Sequence, residues 1–345
     1  MWSPSLSPPC LHSYFHAKRG ERMFRYISRR IIMMIPVLLG VVFVIFTILY
    51  FSPGDPARTI LGVTATEQEV QMLSEELGLN DPYGVQLFRY LKDLLRGDMG
   101  RSYKNNKSVS AEILQRFPTT LLLATLSILF AAVIAIVAGI ISAIKQYSVF
   151  DNIVTGFSLL GISIPNFWLG LMLIILVSLH WRLLPASGFY GPRYWILPLI
   201  TNGVGYMAGI MRITRSSMLE VIRQDYIRTA RAKGQREIVV ILKHALRNAI
   251  IPIITLIGLQ FGRALGGAVL IETVFAIPGL GKYLVDSISA KDIPVIQGGV
   301  LFLAFLFGVV NLCVDILYGF FDPRISSQYR RKKEKAVKMH AKQAN

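Results

Sequence analysis

The chain has 345 residues, of which 53% are hydrophobic and 17% charged, and its mean hydropathy is +0.50. Soluble domains carry about 25% charged residues, so composition excludes an ordinary soluble enzyme and puts an integral membrane protein first. High apolar content excludes disorder, two cysteines exclude a disulfide framework, and the net charge of +17 leaves nucleic acid or a membrane face as its partner.

The leader, residues 1–30, is polar over Met1–Arg22, with Pro and Ser clusters. It has no apolar core of about 7–15 residues, so it does not read as a cleavable signal peptide. Met23 opens a more usual basic flank with Arg25, Arg29 and Arg30, which makes it an alternative start. Six apolar runs follow, each near the roughly 20 residues a bilayer requires. They are Ile31–Phe51, Thr119–Ile144, Ile153–Leu179, Trp195–Met211, Asn248–Ile271 and Ile293–Val314. The fourth is the weakest, with Asn202 and several glycines inside it. Pro36, Pro165, Pro198 and Pro252 are tolerable there, because neighbouring helices can satisfy the freed carbonyls. The predicted fold class is all-α, a polytopic bundle of six transmembrane helices.

Residues 52–118 form a long loop with structure of its own. Thr66 and Glu69 have capping-box spacing, Gly78 suits a helix stop, and Pro82 opens a second segment. That second segment carries Val85, Phe88, Leu91, Leu94 and Leu95 on one face. These two amphipathic helices either cap the bundle or offer a contact surface or gate.

Six crossings place both termini on one side. If that side is cytoplasmic, the inner segments hold 24 Lys+Arg against 7 Asp+Glu, while the outer segments hold 12 of each. This asymmetry obeys the positive-inside rule, so a membrane explains the charge and nucleic acid is not needed. The basic tail, residues 326–345, reads as an anchor near anionic lipid.

Residues 212–247 are too long for a simple turn on this inner face. Leu219, Ile222, Tyr226 and Ala230 form an apolar helical stripe, Gly234 interrupts it, and Ile238, Ile241, Leu242 and Ala245 restart one. The expected form is a helix, a glycine break, and a second helix entering the fifth crossing. Its basic rim and small centre (Thr229, Ala230, Ala232) suit a groove on another protein, whereas composition alone also allows a helix on lipid headgroups.

The run Asp225-Tyr-Ile-Arg-Thr-Ala-Arg-Ala-Lys-Gly234, continuing from His244 to Pro252, resembles the cytoplasmic EAA loop of ABC importer permeases. It is most similar to the dipeptide, oligopeptide and nickel branch. Pro53-Gly-Asp-Pro56, Gly258-Leu-Gln-Phe-Gly262, Phe275–Gly281, Asn311 to Asp315 and Asp322-Pro-Arg324 also match in order, so the resemblance spans about Met23 to Ile325. It implies a type I importer permease fold, with residues 119–325 as permease core and 212–247 as coupling loop. It also implies a second permease (a heterodimer), two ABC ATPase subunits that hold ATP and Mg, and an extracytoplasmic solute-binding protein. This chain would itself bind no cofactor. By position, Asp225, Tyr226, Arg228, Thr229, Ala230, Arg231, Ala232, Lys233 and Gly234 would contact the ATPase. The usual Glu-Ala-Ala falls on Arg228-Thr229-Ala230, so the acidic residue is missing, a departure the peptide branch shares.

Other candidates have two readings each. Gly279-Leu-Gly281-Lys282 resembles a phosphate loop but has Ala276 and Tyr283 where Gly and Ser/Thr are required, so a tight outer turn is expected. Gly258, Gly262 and Gly266 would let helices approach, within the chain or at the seam with the second permease. Arg263, inside a crossing, must face protein or water, and would pair with a carboxylate of a neighbouring helix or subunit, or with that of a passing peptide. Asp315 would pair with an inner basic residue, and Asn166 and Trp168, after the Pro165 break, could line a cavity. The alternative is an ion-gradient-driven secondary transporter. That needs intramembrane acids or paired broken helices, and the crossings supply only Arg263 and terminal Asp315. A membrane enzyme would need a buried His, Asp, Glu or Cys constellation, which the crossings lack.

Overall fold

The computed structural model describes residues 8–62 and 64–321, with side chains described from Ile27 to Ile316 except at Val63 and Gly267. The basic tail therefore lies outside the described residues. Thirteen helices occupy the described chain: α1 (Pro8–Tyr50), α2 (Pro56–Leu61), α3 (Glu67–Glu76), α4 (Tyr83–Leu95), α5 (Val109–Ile144), α6 (Val149–Ser163), α7 (Asn166–Leu173), α8 (Pro192–Ile222), α9 (Asp225–Ala232), α10 (Glu237–Val239), α11 (Leu246–Val274), α12 (Leu280–Ser289) and α13 (Ile293–Phe321). Two π-helical stretches, Ile174–His180 and Val240–Ala245, extend α7 and join α10 to α11. Five described helices are long and apolar enough to cross a membrane, and the bent pair Val149–Ser163 with Asn166–His180 makes a sixth span if its two helices count as one.

The centre is a seam of α5 against α8, with α11 alongside. In lipid, apolar burial does not drive one helix onto another, so close approach and polar bonds must. The α5 side of the seam is accordingly built from Ala124, Ser127, Ala131, Ala135 and Gly139, at helical spacing. A Cβ at Gly139 would stand 2.9 Å from the Met211 carbonyl oxygen, so only glycine allows this approach. Asn202, which made the fourth run look weak, is fully buried here and donates to Ser127 Oγ at 3.2 Å.

Several expected boundaries move. The third crossing is not straight: it bends by 103° around Pro165, because the residue before proline is held out of the α region and Ile164 is extended (ψ 124°). The fourth crossing is longer than its apolar run, spanning Pro192–Ile222, and α5 starts at Val109, running through Pro118. The capping box forms, with Glu69 N donating to Thr66 Oγ1 and Thr66 N to Glu69 Oε2, and Gly78 stops the helix with φ 63°. The apolar face expected on α4 is divided. Tyr83 and Tyr90 pack on Phe46 of α1, at ring separations of 5.4 and 6.0 Å, while Val85, Phe88 and Leu95 are exposed. The short α2 was not foreseen, although Asp55, accepting from Ala57 N at 2.9 Å, and Pro56 mark its start.

Candidate functional site

The 212–247 region forms three helical pieces. The apolar stripe from Leu219 to Ala230 does not belong to one helix. α8 ends at Ile222, Arg223 and Gln224 turn the chain, and α9 begins at Asp225. Gly234 then adopts φ 76°, the left-handed conformation that glycine enters without a Cβ penalty, and the chain reverses into α10 and the π-helical turn. Arg231 closes this reversal by donating to both oxygens of Glu237, at 2.6 and 3.1 Å, and Gln235 Oε1 meets His244 Nε2 at 2.7 Å.

α9 is amphipathic. Ile227 is fully buried and Ala230 nearly so, against Ile140 and Ala143 of α5, Met218 of α8, and Val240, Ile241 and Ala245. Asp225, Tyr226, Arg228, Thr229, Arg231, Ala232, Lys233 and Gly234 are exposed. Eight of the nine residues predicted to meet a partner therefore face outward together, and Ala230 instead holds the helix in place. The exposed ridge is cationic, since Arg228, Arg231, Lys233 and Arg236 outnumber the exposed acids Asp225 and Glu237.

Beside that apolar seat, a polar joint for which the sequence offers little sign ties the ends of α5, α6 and α8 together. Asp151, 2% exposed on α6, receives Arg215 of α8 bidentately, Nε at 2.6 Å and Nη2 at 2.8 Å. Ser142 Oγ of α5 also donates to it, as does Tyr147 N at 2.9 Å from the α5–α6 turn. The available signal was Ser148 three residues before a lone acid at the edge of an apolar run.

At the opposite end of the bundle, Gly279-Leu-Gly281-Lys282 is not a tight turn but the amino end of α12. Its anion is internal. Glu272, fully buried, accepts from Lys282 N at 3.0 Å and from Thr120 Oγ1 at 2.6 Å, and Thr120 Oγ1 in turn accepts from Leu280 N at 2.8 Å. The positive end of a helix stabilises a carboxylate as it would a phosphate. A Cβ on Gly279 would overlap the Glu272 carboxyl group, which explains that glycine. Nearby, Asp292 accepts from Ser102 Oγ at 2.5 Å and Tyr103 N at 3.0 Å, tying the 101–108 loop to the start of α13. Burial, with Asp292 close by, pushes the Tyr103 hydroxyl up to about 12.

The remaining candidates separate. Gly258 and Gly262 face α13, where a Cβ would meet Val314 and Phe307, so both serve packing within the chain and not a seam with another subunit. Gly266 is exposed with open space beside it. Arg263 is exposed near Tyr206 on the α11 face that includes Leu259, Gly266 and Leu270, and it forms no ion pair with a described carboxylate. Asn166 is half-buried beside Gly205, and Trp168 is exposed. Asp315 pairs with Arg30 at 3.0 Å, as expected. No group of three His, Cys, Asp or Glu among the described residues could hold a metal.

Residues 135–327 match the family described as binding-protein-dependent transport system inner membrane component, and residues 23–124 match its N-terminal model. The dipeptide transport system permease protein DppB of Alkalihalophilus pseudofirmus is 45% identical over 333 residues, covering 88% of this chain and 99% of that protein. DppB of Escherichia coli K12 is 41% identical over 336 residues, with the same coverages. The glutathione transport system permease protein GsiC of Salmonella paratyphi A is 42% identical over 303 residues, again covering 88% and 99%. Among solved structures, an inward-facing MetNI methionine ABC transporter aligns with TM-score 0.53 at 18% identity, covering 61% of this chain and 96% of that one.

Proposed function

The chain belongs to the family of binding-protein-dependent transport system inner membrane components, and from that membership we propose that it is the membrane-spanning permease of an ABC importer for short peptides. The chain is a transport subunit, not an enzyme. It works with a second permease, as a heterodimer, with two ATPase subunits that hold ATP and Mg, and with an extracytoplasmic binding protein. Both termini and residues 212–247 lie in the cytoplasm of a cell whose inner membrane holds the bundle, consistent with the excess of basic residues there. The relatives named for dipeptide and glutathione transport support a peptide cargo.

The observation that carries this reading is α9, seated by Ile227 and Ala230 while its charged ridge projects from the bundle. Closure of the ATPases moves a groove that holds α9, α9 moves the ends of α5 and α8, and access to the pathway alternates. ATP drives this only because its binding favours one conformation over the other. The exposed α11 face with Arg263 lines the passage or the seam with the second permease, because a cation at that depth requires water or protein.

Gly234→Val tests the coupling loop. A β-branched residue at a positive φ costs about 1–3 kcal/mol and displaces the reversal behind α9. The variant is expected to reach the membrane normally and to lose transport and transport-linked ATP turnover. Full transport by Gly234→Val would refute the assignment.

A further inference from the structure

We propose that Asp151 and Arg215 are positioning residues that pass the displacement of α9 into α6 and the bent α6–α7 pair. The proposal rests on reading α9 as the ATPase-coupled helix. The cluster that seats α9 contains residues of α5, α8 and the start of the α11 limb, and none of α6. Motion of α9 therefore enters through Ala143 of α5 and Met218 of α8. Ser142 adjoins the first of these positions, and Arg215 lies one helical turn before the second. Both side chains converge on Asp151 of α6, with Tyr147 N from the intervening turn. Tyr147 itself has φ 64°, which aims that N–H at the carboxylate. From Asp151, α6 runs along α8 to the 103° bend at Pro165, beyond which α7 carries Asn166 and Trp168.

A buried ion pair is a poor device for stability, since apolar replacements of similar volume are often neutral or stabilising. It is a good device for register. Apolar contacts between α6 and α8, such as Gly161 against Ala208, permit sliding, whereas a guanidinium fork on a carboxylate has one geometry. The pair thus makes the ends of α5, α6 and α8 behave as one lever.

The experiment uses the complete transporter, with both permeases, ATPases and binding protein, in proteoliposomes supplied with a radiolabelled dipeptide. It measures dipeptide moved per ATP hydrolysed. The double variant Asp151→Leu/Arg215→Met removes the pair without leaving a buried charge. It is expected to retain ATPase subunits and basal hydrolysis while the transport-to-hydrolysis ratio falls at least tenfold. Arg215→Lys, which keeps the charge but not the fork, should fall between. A wild-type ratio in the double variant overturns the proposal. Should the double variant not accumulate, Asp151→Asn decides on the same ratio in the same way. Tyr226→Asp and Arg228→Glu on the exposed ridge form a separate arm. Loss of ATPase capture is expected there, and retention would defeat the coupling reading itself, whatever the ratio shows for Asp151.

Discussion

Arg263 is a residue whose energetics point beyond its own chain. A cation inside a crossing costs at least about 2.5–3.5 kcal/mol on insertion scales unless protein or water receives it. No described carboxylate pairs with it, and we propose that a carboxylate of a second permease or of the solute receives it. A charge-assisted hydrogen bond contributes about 1.5–3 kcal/mol, or roughly ten- to a hundredfold in rate or affinity. If the solute is the partner, Arg263→Ala should lower dipeptide uptake by at least tenfold with subunit co-purification intact, and Arg263→Lys should restore part of it. Loss of the second permease during purification would identify the partner as that subunit. Unchanged uptake, preference and assembly would exclude both roles. The sequence shows that this residue is unusual, because one charge in an apolar run stands out. It does not show direction, since no described carboxylate of the chain answers the charge.

At the scale of the element, legibility followed chemistry that is local in sequence. The Thr66–Glu69 box, the Gly78 stop and the Gly234 reversal all depend on residues within four positions, and each formed. The interruption at Arg223-Gln224 was not visible, because the apolar spacing of Leu219, Ile222, Tyr226 and Ala230 stays in helical phase across it. Only packing distinguishes them: Ile227, outside the predicted stripe, is the fully buried residue, while Tyr226 is 43% exposed. Ile227 is thus the anchor of α9. Ile227→Asp would place an unpaired carboxylate in an apolar seat, an effect worth several kcal/mol, and α9 should detach. The expected outcome is rapid proteolysis between Arg223 and Gln235 with the rest of the bundle protected. A protease-resistant loop in that variant would mean that other contacts hold α9.

For the whole molecule, composition and run length were enough to specify an all-helical bundle of five to six candidate spans, because the bilayer sets a minimum apolar length for a crossing. The long-range polar clusters were not legible. Asp292 with Ser102, Glu272 with Thr120, and Asp151 with Arg215 join residues separated by 190, 152 and 64 positions, and no spacing rule reaches that far. Orientation is testable across the same scale. A cysteine at exposed Lys233 should react with an impermeant maleimide only from the cytoplasmic side, and one at exposed Asn106 only from the opposite side, in a background with Cys10 and Cys313 replaced. Labelling of each only from the other side would invert the topology, and labelling of both from one side would overturn the span assignment.

The carboxylate lodged at the amino end of α12 has a consequence for inheritance. Glu272 and Gly279 are complementary shapes, a projecting acid and the hollow that receives it, whereas a Cβ at Gly281 would stand 2.5 Å from Val269 Cα before it met the carboxylate at 3.0 Å. Loss of the acid strands the donors Thr120 Oγ1 and Lys282 N, and a side chain at Gly279 collides with the carboxylate, so a change at Gly279 calls for a compensating change at Glu272. The two should therefore be treated as a single hereditary character, not independent letters, in any redesign of that end of the bundle.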